Sequence, residues 1–350
     1  MSSLIRRFIF SLLVILCAGP DGWAQTEYPS HSNSLSVNPE AIVMSVINEA
    51  YNCEFDNALE GTNQLIEILP EDPEGYFYRA GTFKRMLEEG CLASDDSTKR
   101  EIRLLIDKAC RLSEQKLDEY PNSAEAHFYY AASLVYRAWY EAADRNWIAV
   151  MSDGIKVRKT LEKAIEIDPN FFDAYTGIGA FNCYAARIPW FLKPLALVLG
   201  VSGDEEKGIA QLKKAAELGK YAKTEATLFL GSVVYVDKEE YSSAATLMLK
   251  LHENFPKNLY FVQYLCRDYY ELHDYNQAIN VADDALEVGD PTGSCQRERL
   301  SFIQFYRGKS YERIGERDKA IADYRVIVRL DGNRYAGKDA EAALEKWGVE

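Results

Sequence analysis

The sequence predicts an all-α solenoid, and three observations carry that reading. Helical apolar patterns recur at a 34-residue spacing, small residues recur at matching places within them, and no period-two alternation of useful length occurs. EEYSSAATLMLKLHENFP (residues 239–256) and HDYNQAINVADDALEVGDP (273–291) align with Tyr241 on Tyr275 and Ala244 on Ala278. ERDKAIADYRVIVRLDGN (316–333) continues the series, with Ala320 lying 42 residues after Ala278 and the eight extra residues falling around DPTGSCQR. KTLEKAIEIDPNFFDAY (159–175) repeats the helix-end pattern and closes on Asp168-Pro169.

Taken along the chain, the pattern gives about seven antiparallel helix pairs: 40–70, 73–120, 124–168, 172–219, 223–255, 259–289 and 300–331. Tyr335 to Trp347 forms a C-terminal capping helix with charges on its outer side. Pro70, Pro121, Pro169, Pro256 and Gly219 supply the stops between pairs. One pair cannot bury its apolar stripe alone, so stacking must supply the core. Small residues let the two helices approach, while large ones fill the holes between neighbouring pairs.

These residues resemble the tetratricopeptide repeat family, which pairs two antiparallel helices per 34 residues. Tyr76, Ala80 and Phe83 meet its large–small–aromatic spacing on a first helix. His127, Ala131 and Leu134 meet it in part, Tyr175, Gly179 and Asn182 begin it, and Gly308 and Tyr311 satisfy it late. Ala278, Ala282 and Ala285 show the second-helix spacing with a small residue in the middle. The resemblance implies a right-handed solenoid over residues 39–347 whose first helices line a concave groove. A narrower resemblance covers IPWFLKPLALVLGVSGDEEKGIAQLKKAAELG (188–219), which looks like the tetratricopeptide repeat protein 39 family. That family is chiefly intracellular, so only its architecture is carried over.

Within that stretch, residues 188–201 form an apolar, proline-containing insertion with Trp190, Phe191, Leu192, Leu195, Leu197, Val198 and Leu199. It either folds back into the solenoid, plugs a partner site or dips into a membrane. Pro189 and Pro194 argue against a spanning helix. Asp204 and Glu205 are placed for the next helix N-terminus.

The first 24 residues read as a cleavable signal peptide. Arg6 and Arg7 precede an apolar run from Phe8 to Ala18, and Gly22 and Ala24 stand before the expected cut. Residues 25–38 are a polar tail expected to be flexible. The expectation is an exported, extracytoplasmic (for example periplasmic) soluble protein with no transmembrane span after cleavage. Six cysteines then remain, and Cys53–Cys91 is the favoured bridge if one forms, because both follow first helices of adjacent pairs.

The 350 residues carry 54 acidic side chains against 40 Lys and Arg, a formal charge of −14. A surface this acidic repels phosphate backbones, which argues against general nucleic-acid binding, and it disfavours adhesion to anionic lipid through charge alone. No histidine pair has metal-site spacing, no phosphate loop or GxSxG occurs, and Gly177-Ile-Gly179 lies inside a helix. The sequence therefore predicts no catalytic residue, cofactor or metal. It predicts a non-catalytic scaffold or adaptor binding a protein or peptide in its groove, or alternatively a transport or capture component holding a small apolar ligand.

Repeat alignment places Phe77, Phe128, Tyr136, Tyr184, Phe229, Tyr260, Tyr270, Phe302 and Phe305 on first helices, facing either the groove or the neighbouring pair. Arg267 and Lys309 take equivalent positions in the last two pairs. Rings flanked by cations suit an extended peptide bearing carboxylates. The candidate partner-binding residues are thus Arg267, Tyr270, Phe305 and Lys309, with Trp190 and Phe191 in the insertion.

Overall fold

The computed structural model describes residues 38–349, apart from 192, 199, 290–294 and 332–334. Residues 1–24, expected from the sequence to be a signal peptide, residues 25–37 and most of the DPTGSCQR loop lie outside the described residues. So do the side chains of Leu192, Leu195, Val198 and Leu199.

The helices pair in chain order, but the first helices start at Pro39, Pro73, Ala124, Ala174, Lys223, Leu259 and Arg297. The spacing is thus close to 34 residues at the two ends and nearer 50 in the middle, where the helices and the insertion are longer. The helices are α1 (Pro39–Tyr51), α2 (Phe55–Ile68), α3 (Pro73–Glu88), α4 (Asp96–Glu119), α5 (Ala124–Ala143) and α6 (Trp147–Ile167). Next come α7 (Ala174–Ala186), the short α8 (Lys193–Val198) inside the insertion, α9 (Glu205–Leu218) and α10 (Lys223–Phe229). A π-helical turn (Leu230–Val234) leads into α11 (Tyr235–Asp237), followed by α12 (Tyr241–Asn254), α13 (Leu259–Glu271) and α14 (Tyr275–Val288). The series ends with α15 (Arg297–Arg313), α16 (Arg317–Asp331) and the capping helix α17 (Tyr335–Lys346). No strand occurs among the described residues.

Two kinds of turn alternate. Between pairs, helices stop one or two residues before the prolines, as at Ile68, Glu119, Ile167 and Asn254. Tyr76, His127 and Tyr175 each reach back six residues to the carbonyl of Pro70, Pro121 or Pro169, at 3.0–3.1 Å. Within five pairs, one residue two places before the second helix is left-handed: Cys53, Arg145, Glu239, His273 and Gly315. The N–H after it bonds the carbonyl five residues earlier, for example Glu240 to Tyr235 at 2.7 Å and Asp274 to Tyr269 at 2.9 Å. This closes the spent helix by a Schellman arrangement, normally a glycine's role. Only Gly315 uses glycine, so the sequence does not advertise the device.

The chain divides into two compact units. The first holds residues up to Ala50, Glu54–Lys84 and Asp95–Leu230. From α4 to α10, each helix packs on the next long helix, α9 following α7 directly. Its aromatic core stacks Phe77 on Tyr136, with centroids 4.7 Å apart, and sets Phe128 against Phe171. Gly179 sits where a Cβ would meet the Gly208 carbonyl at 2.8 Å, so close approach of α7 and α9 explains that glycine. Asp204 caps α9 by accepting the Lys207 N–H at 3.0 Å. Asp173, nearly buried, accepts the successive N–H groups of Lys220, Tyr221 and Ala222 that lead into α10.

The second unit holds Tyr51–Cys53, Arg85–Ser94 and the chain from Gly231 onward. Its helices also stack in order, with α13 on α15 and α15 on α17 as every-second neighbours. Ala244, Ala278 and Ala320, the residues that set the repeat spacing, are all fully buried. The disulfide is not the expected Cys53–Cys91: Cys91 bonds Cys295, and Cys53 is free. The cause is where residues 85–94 dock. Gln296 donates its N–H to the Glu89 carbonyl, and Arg299 binds the Glu89 carboxylate and the Glu88 carbonyl. The start of α15 is therefore the neighbour of Cys91. Burial pushes the Cys53 thiol up to about 12, which leaves it inert as a nucleophile.

Candidate functional site

Helix α15 presents cations on two faces, and the two faces are treated differently. Arg307 is neutralised. Its guanidinium forks onto Asp323 at 2.5 and 2.9 Å and reaches Asp283 at 2.6 Å, while Gln304 donates to Asp323. Asp323 is buried, so this pairing is a structural necessity. An open cleft of about 400 Å³ lies against it, lined by charged Asp283, Glu287 and Arg307 and by apolar Leu286, Leu300 and Val326.

Lys309 is not neutralised. Its ammonium stands 4.2 Å from the Tyr270 ring centroid, 5.4 Å from Tyr306 and 5.6 Å from Phe305, within cation–π reach of all three. One turn on, exposed Arg313 donates from Nε to the Tyr270 hydroxyl at 3.1 Å. Among the described residues neither cation has a carboxylate within ion-pair distance. The structure therefore brings together Tyr270, Phe305 and Lys309 as the repeat alignment expected, and adds Tyr306 and Arg313. Sequence reasoning missed those two: Tyr306 aligns with Tyr264, a ring it did not single out, and Arg313 aligns with acidic Glu271. Their signal was the basic–aromatic run from Phe305 to Arg313.

Arg267 has a different setting. Its Nε donates to Asp268 Oδ1 at 2.9 Å, Nη2 stands 2.8 Å from the same oxygen, and the guanidinium covers the Tyr264 ring. Burial pushes the Asp268 carboxyl up to about 6 against the pull of Arg267, and its second oxygen has no hydrogen-bond partner. Arg267 already holds a carboxylate, so its charge is spent locally.

Of the nine aligned rings, Phe77, Phe128, Tyr136, Tyr184, Phe229 and Tyr270 are buried. Repeat position alone cannot tell a groove-lining ring from one that packs on the neighbouring pair. Tyr260, Phe302 and Phe305 are partly exposed.

The insertion behaves otherwise. Trp190 is 81% exposed and Phe191 60% exposed, in edge contact with each other, and Leu197 is 71% exposed. These described side chains do not fold back into the protein. The segment is tied down instead by its ends, where Arg158 donates to the Gly200 carbonyl at 2.5 Å and Arg187 pairs with Glu205 at 2.8 Å.

A third polar cluster lies in the first unit. Lys116 pairs with Asp72 at 2.5 Å and stands 3.9 Å from Glu74. Burial, then the neighbouring Asp72 and Glu125 charges, push the Glu74 carboxyl up to about 8 despite Lys116. Burial also raises Glu125. The described residues contain no group of His, Cys, Asp and Glu that could hold a metal ion, and no helix long and apolar enough to cross a membrane.

Comparison with solved structures finds distant likenesses. The C-terminal part of a TPR repeat-containing protein from Cytophaga hutchinsonii is 17% identical, over 85% of this chain and 98% of that one, with a TM-score of 0.44. Pseudomonas aeruginosa pilF is 15% identical over 77% and 97%, with a TM-score of 0.42. Yeast Tom70 is 14% identical over 86% and 71%, with a TM-score of 0.39. No curated protein matches the chain. A family model does match, over residues 43–259, and it is not that of tetratricopeptide repeat protein 39. The match includes the apolar insertion and stops short of Tyr270, Phe305, Lys309 and Arg313. By that match the chain belongs to the family described as regulator of microtubule dynamics protein 1-3.

Proposed function

We propose that the protein is an exported, non-catalytic interaction module that holds a carboxylate-bearing segment of a protein or peptide at Lys309 and Arg313. The observation that carries the reading is that both cations are held by rings and a hydroxyl, without a carboxylate, in a chain of net charge −14. By contrast, Arg299 and Arg307 of α15 are paired with Glu89 and with Asp323 and Asp283. An incoming carboxylate would find a half-desolvated ammonium, an exposed guanidinium and an aromatic wall against which an extended backbone can lie. Export is supported by the arrangement of residues 1–24 and by the Cys91–Cys295 bridge, since such bonds persist in oxidising compartments. An exported chain meets no cytoplasmic filament, so the family's description is not carried over as a role.

The test is capture by cross-linking in the cell envelope, together with fluorescence anisotropy using a labelled Glu-rich peptide. The Lys309→Ala, Arg313→Ala double variant should bind the peptide about tenfold more weakly, a loss of about 1.4 kcal/mol. Helicity should be unchanged, and added salt should weaken binding by the parent. Unchanged binding by the folded double variant would move the site elsewhere.

A further inference from the structure

The apolar insertion and the start of α6 lie at one edge of the first unit. Helix α7 packs along α6, and the Arg158 guanidinium lies 5.1 Å over the Phe181 ring, which sets their register. From that level the chain runs onward from α7 to Trp190 and back along α6 to Ile148. Ile148 is 84% exposed, and Met151 is exposed one turn on. Trp190, Phe191, Leu197, Ile148 and Met151 thus leave five large apolar side chains in water at one edge, where scattered single ones are the norm.

Charge says what covers them. Residues 144–160 and 187–201 hold six basic residues against two acidic ones. Arg158 and Arg187 are paired with Glu162 and Glu205, and Asp153 is buried on Arg137, which leaves Arg145, Lys156, Lys159 and Lys193 against Asp144. Lys156, Lys159 and Lys193 are exposed and make no ion pair among the described residues. This is the reverse of the chain's overall balance. A second copy docking symmetrically would set these cations against themselves. An acidic protein partner would satisfy the lysines but offers no reason for a protruding Trp-Phe tip beside a proline-bounded apolar turn. Tryptophan and phenylalanine at a water-exposed tip, flanked by lysines, match the interfacial zone of a bilayer with anionic headgroups.

We propose that this edge docks the protein peripherally on an anionic lipid surface, with Trp190 and Phe191 entering the headgroup–acyl boundary and the lysines facing lipid phosphates. Docking of this kind is reversible, because a few side chains and a few charges add up to weak anchoring. It is independent of the Lys309 site.

The test is vesicle flotation of the purified protein, its N-terminus read by mass spectrometry and identical in parent and variants. Vesicles are phosphatidylcholine alone, or phosphatidylcholine with phosphatidylglycerol. The parent should float with the anionic vesicles, and less so as salt rises from about 0.1 to about 0.5 M. Trp190→Ala with Phe191→Ala should cut binding at least tenfold. Lys156→Glu with Lys159→Glu and Lys193→Glu should do the same, with circular dichroism unchanged. Ile148→Ser, on a regular helix, gives a second reading should the insertion variants misfold. Equal flotation of parent and all variants overturns the proposal, as does equal binding to neutral vesicles. So does self-association that Trp190→Ala abolishes while no vesicle binds, which would assign the edge to a second copy.

Discussion

Around Lys116 in the first unit, carboxylates outnumber cations; around Lys309 in the second, cations stand without carboxylates. Asp72, Glu74 and Glu125 share the first site, and burial with mutual repulsion holds a proton on Glu74. At the second site, Arg307 takes two aspartates while Lys309, two residues on, receives only rings. The difference teaches how an unmatched charge can be settled. An acid can carry its own proton and become neutral at ordinary pH, so the first cluster asks for no partner. A lysine or arginine cannot shed its charge as cheaply, so an unmatched basic site stays open to an anion.

Each limb of that contrast can be broken by mutation. The largest effect is expected from Arg307→Ala, which strands the buried Asp323 carboxylate without its fork. A loss of about 3–5 kcal/mol in chemical denaturation is expected. A loss below about 1 kcal/mol would mean that Asp323 is relieved by water instead.

The next effect is a pH dependence. Glu74 titrates near 4.5 when unfolded and near 8 when folded. Between those values the folded state holds one more proton than the unfolded state. Its contribution to stability is therefore full below about pH 4.5 and is lost progressively as pH rises through about 8. The melting temperature should fall from pH 6 to pH 9, and Glu74→Gln should flatten that fall. An equal slope in the variant would place the proton on another group.

Lys309→Ala should be nearly silent for stability, with a change of about 0.5–1 kcal/mol from lost ring contacts, although it weakens peptide binding. A loss comparable to Arg307→Ala would make Lys309 a structural cation and remove the contrast. The smallest expected effect is a gain. Glu239→Gly relieves a left-handed residue in the turn before α12 and should stabilise by about 0.3 kcal/mol, the strain relieved being largely offset by glycine's greater unfolded-state entropy. No gain there would mean that the turn's hydrogen bonds tolerate side chains at no cost.

Local chemistry made the helix pairs legible before any coordinates. Apolar spacing, buried alanines and proline stops act within one or two turns, so Ala244, Ala278 and Ala320 report the core by themselves. The left-handed turn residues were hidden because Cys53, Arg145, Glu239 and His273 occupy glycine's usual place. Candidate site residues were legible as cations among rings, but not as paired or unpaired. Arg267 and Lys309 look equivalent in the alignment, yet Asp268 neutralises one and nothing acidic reaches the other.

The sequence by itself determined the all-α fold built from repeated helix pairs, because that rests on contacts close along the chain. Only the tertiary structure decided that Cys91 joins Cys295, that Glu74 keeps a proton, and that Trp190 and Phe191 stay in water. Each of those depends on which distant residues arrive alongside or fail to. No local propensity encodes the arrival of Gln296 and Arg299 beside Glu89, 204 residues separating the two cysteines they bring together.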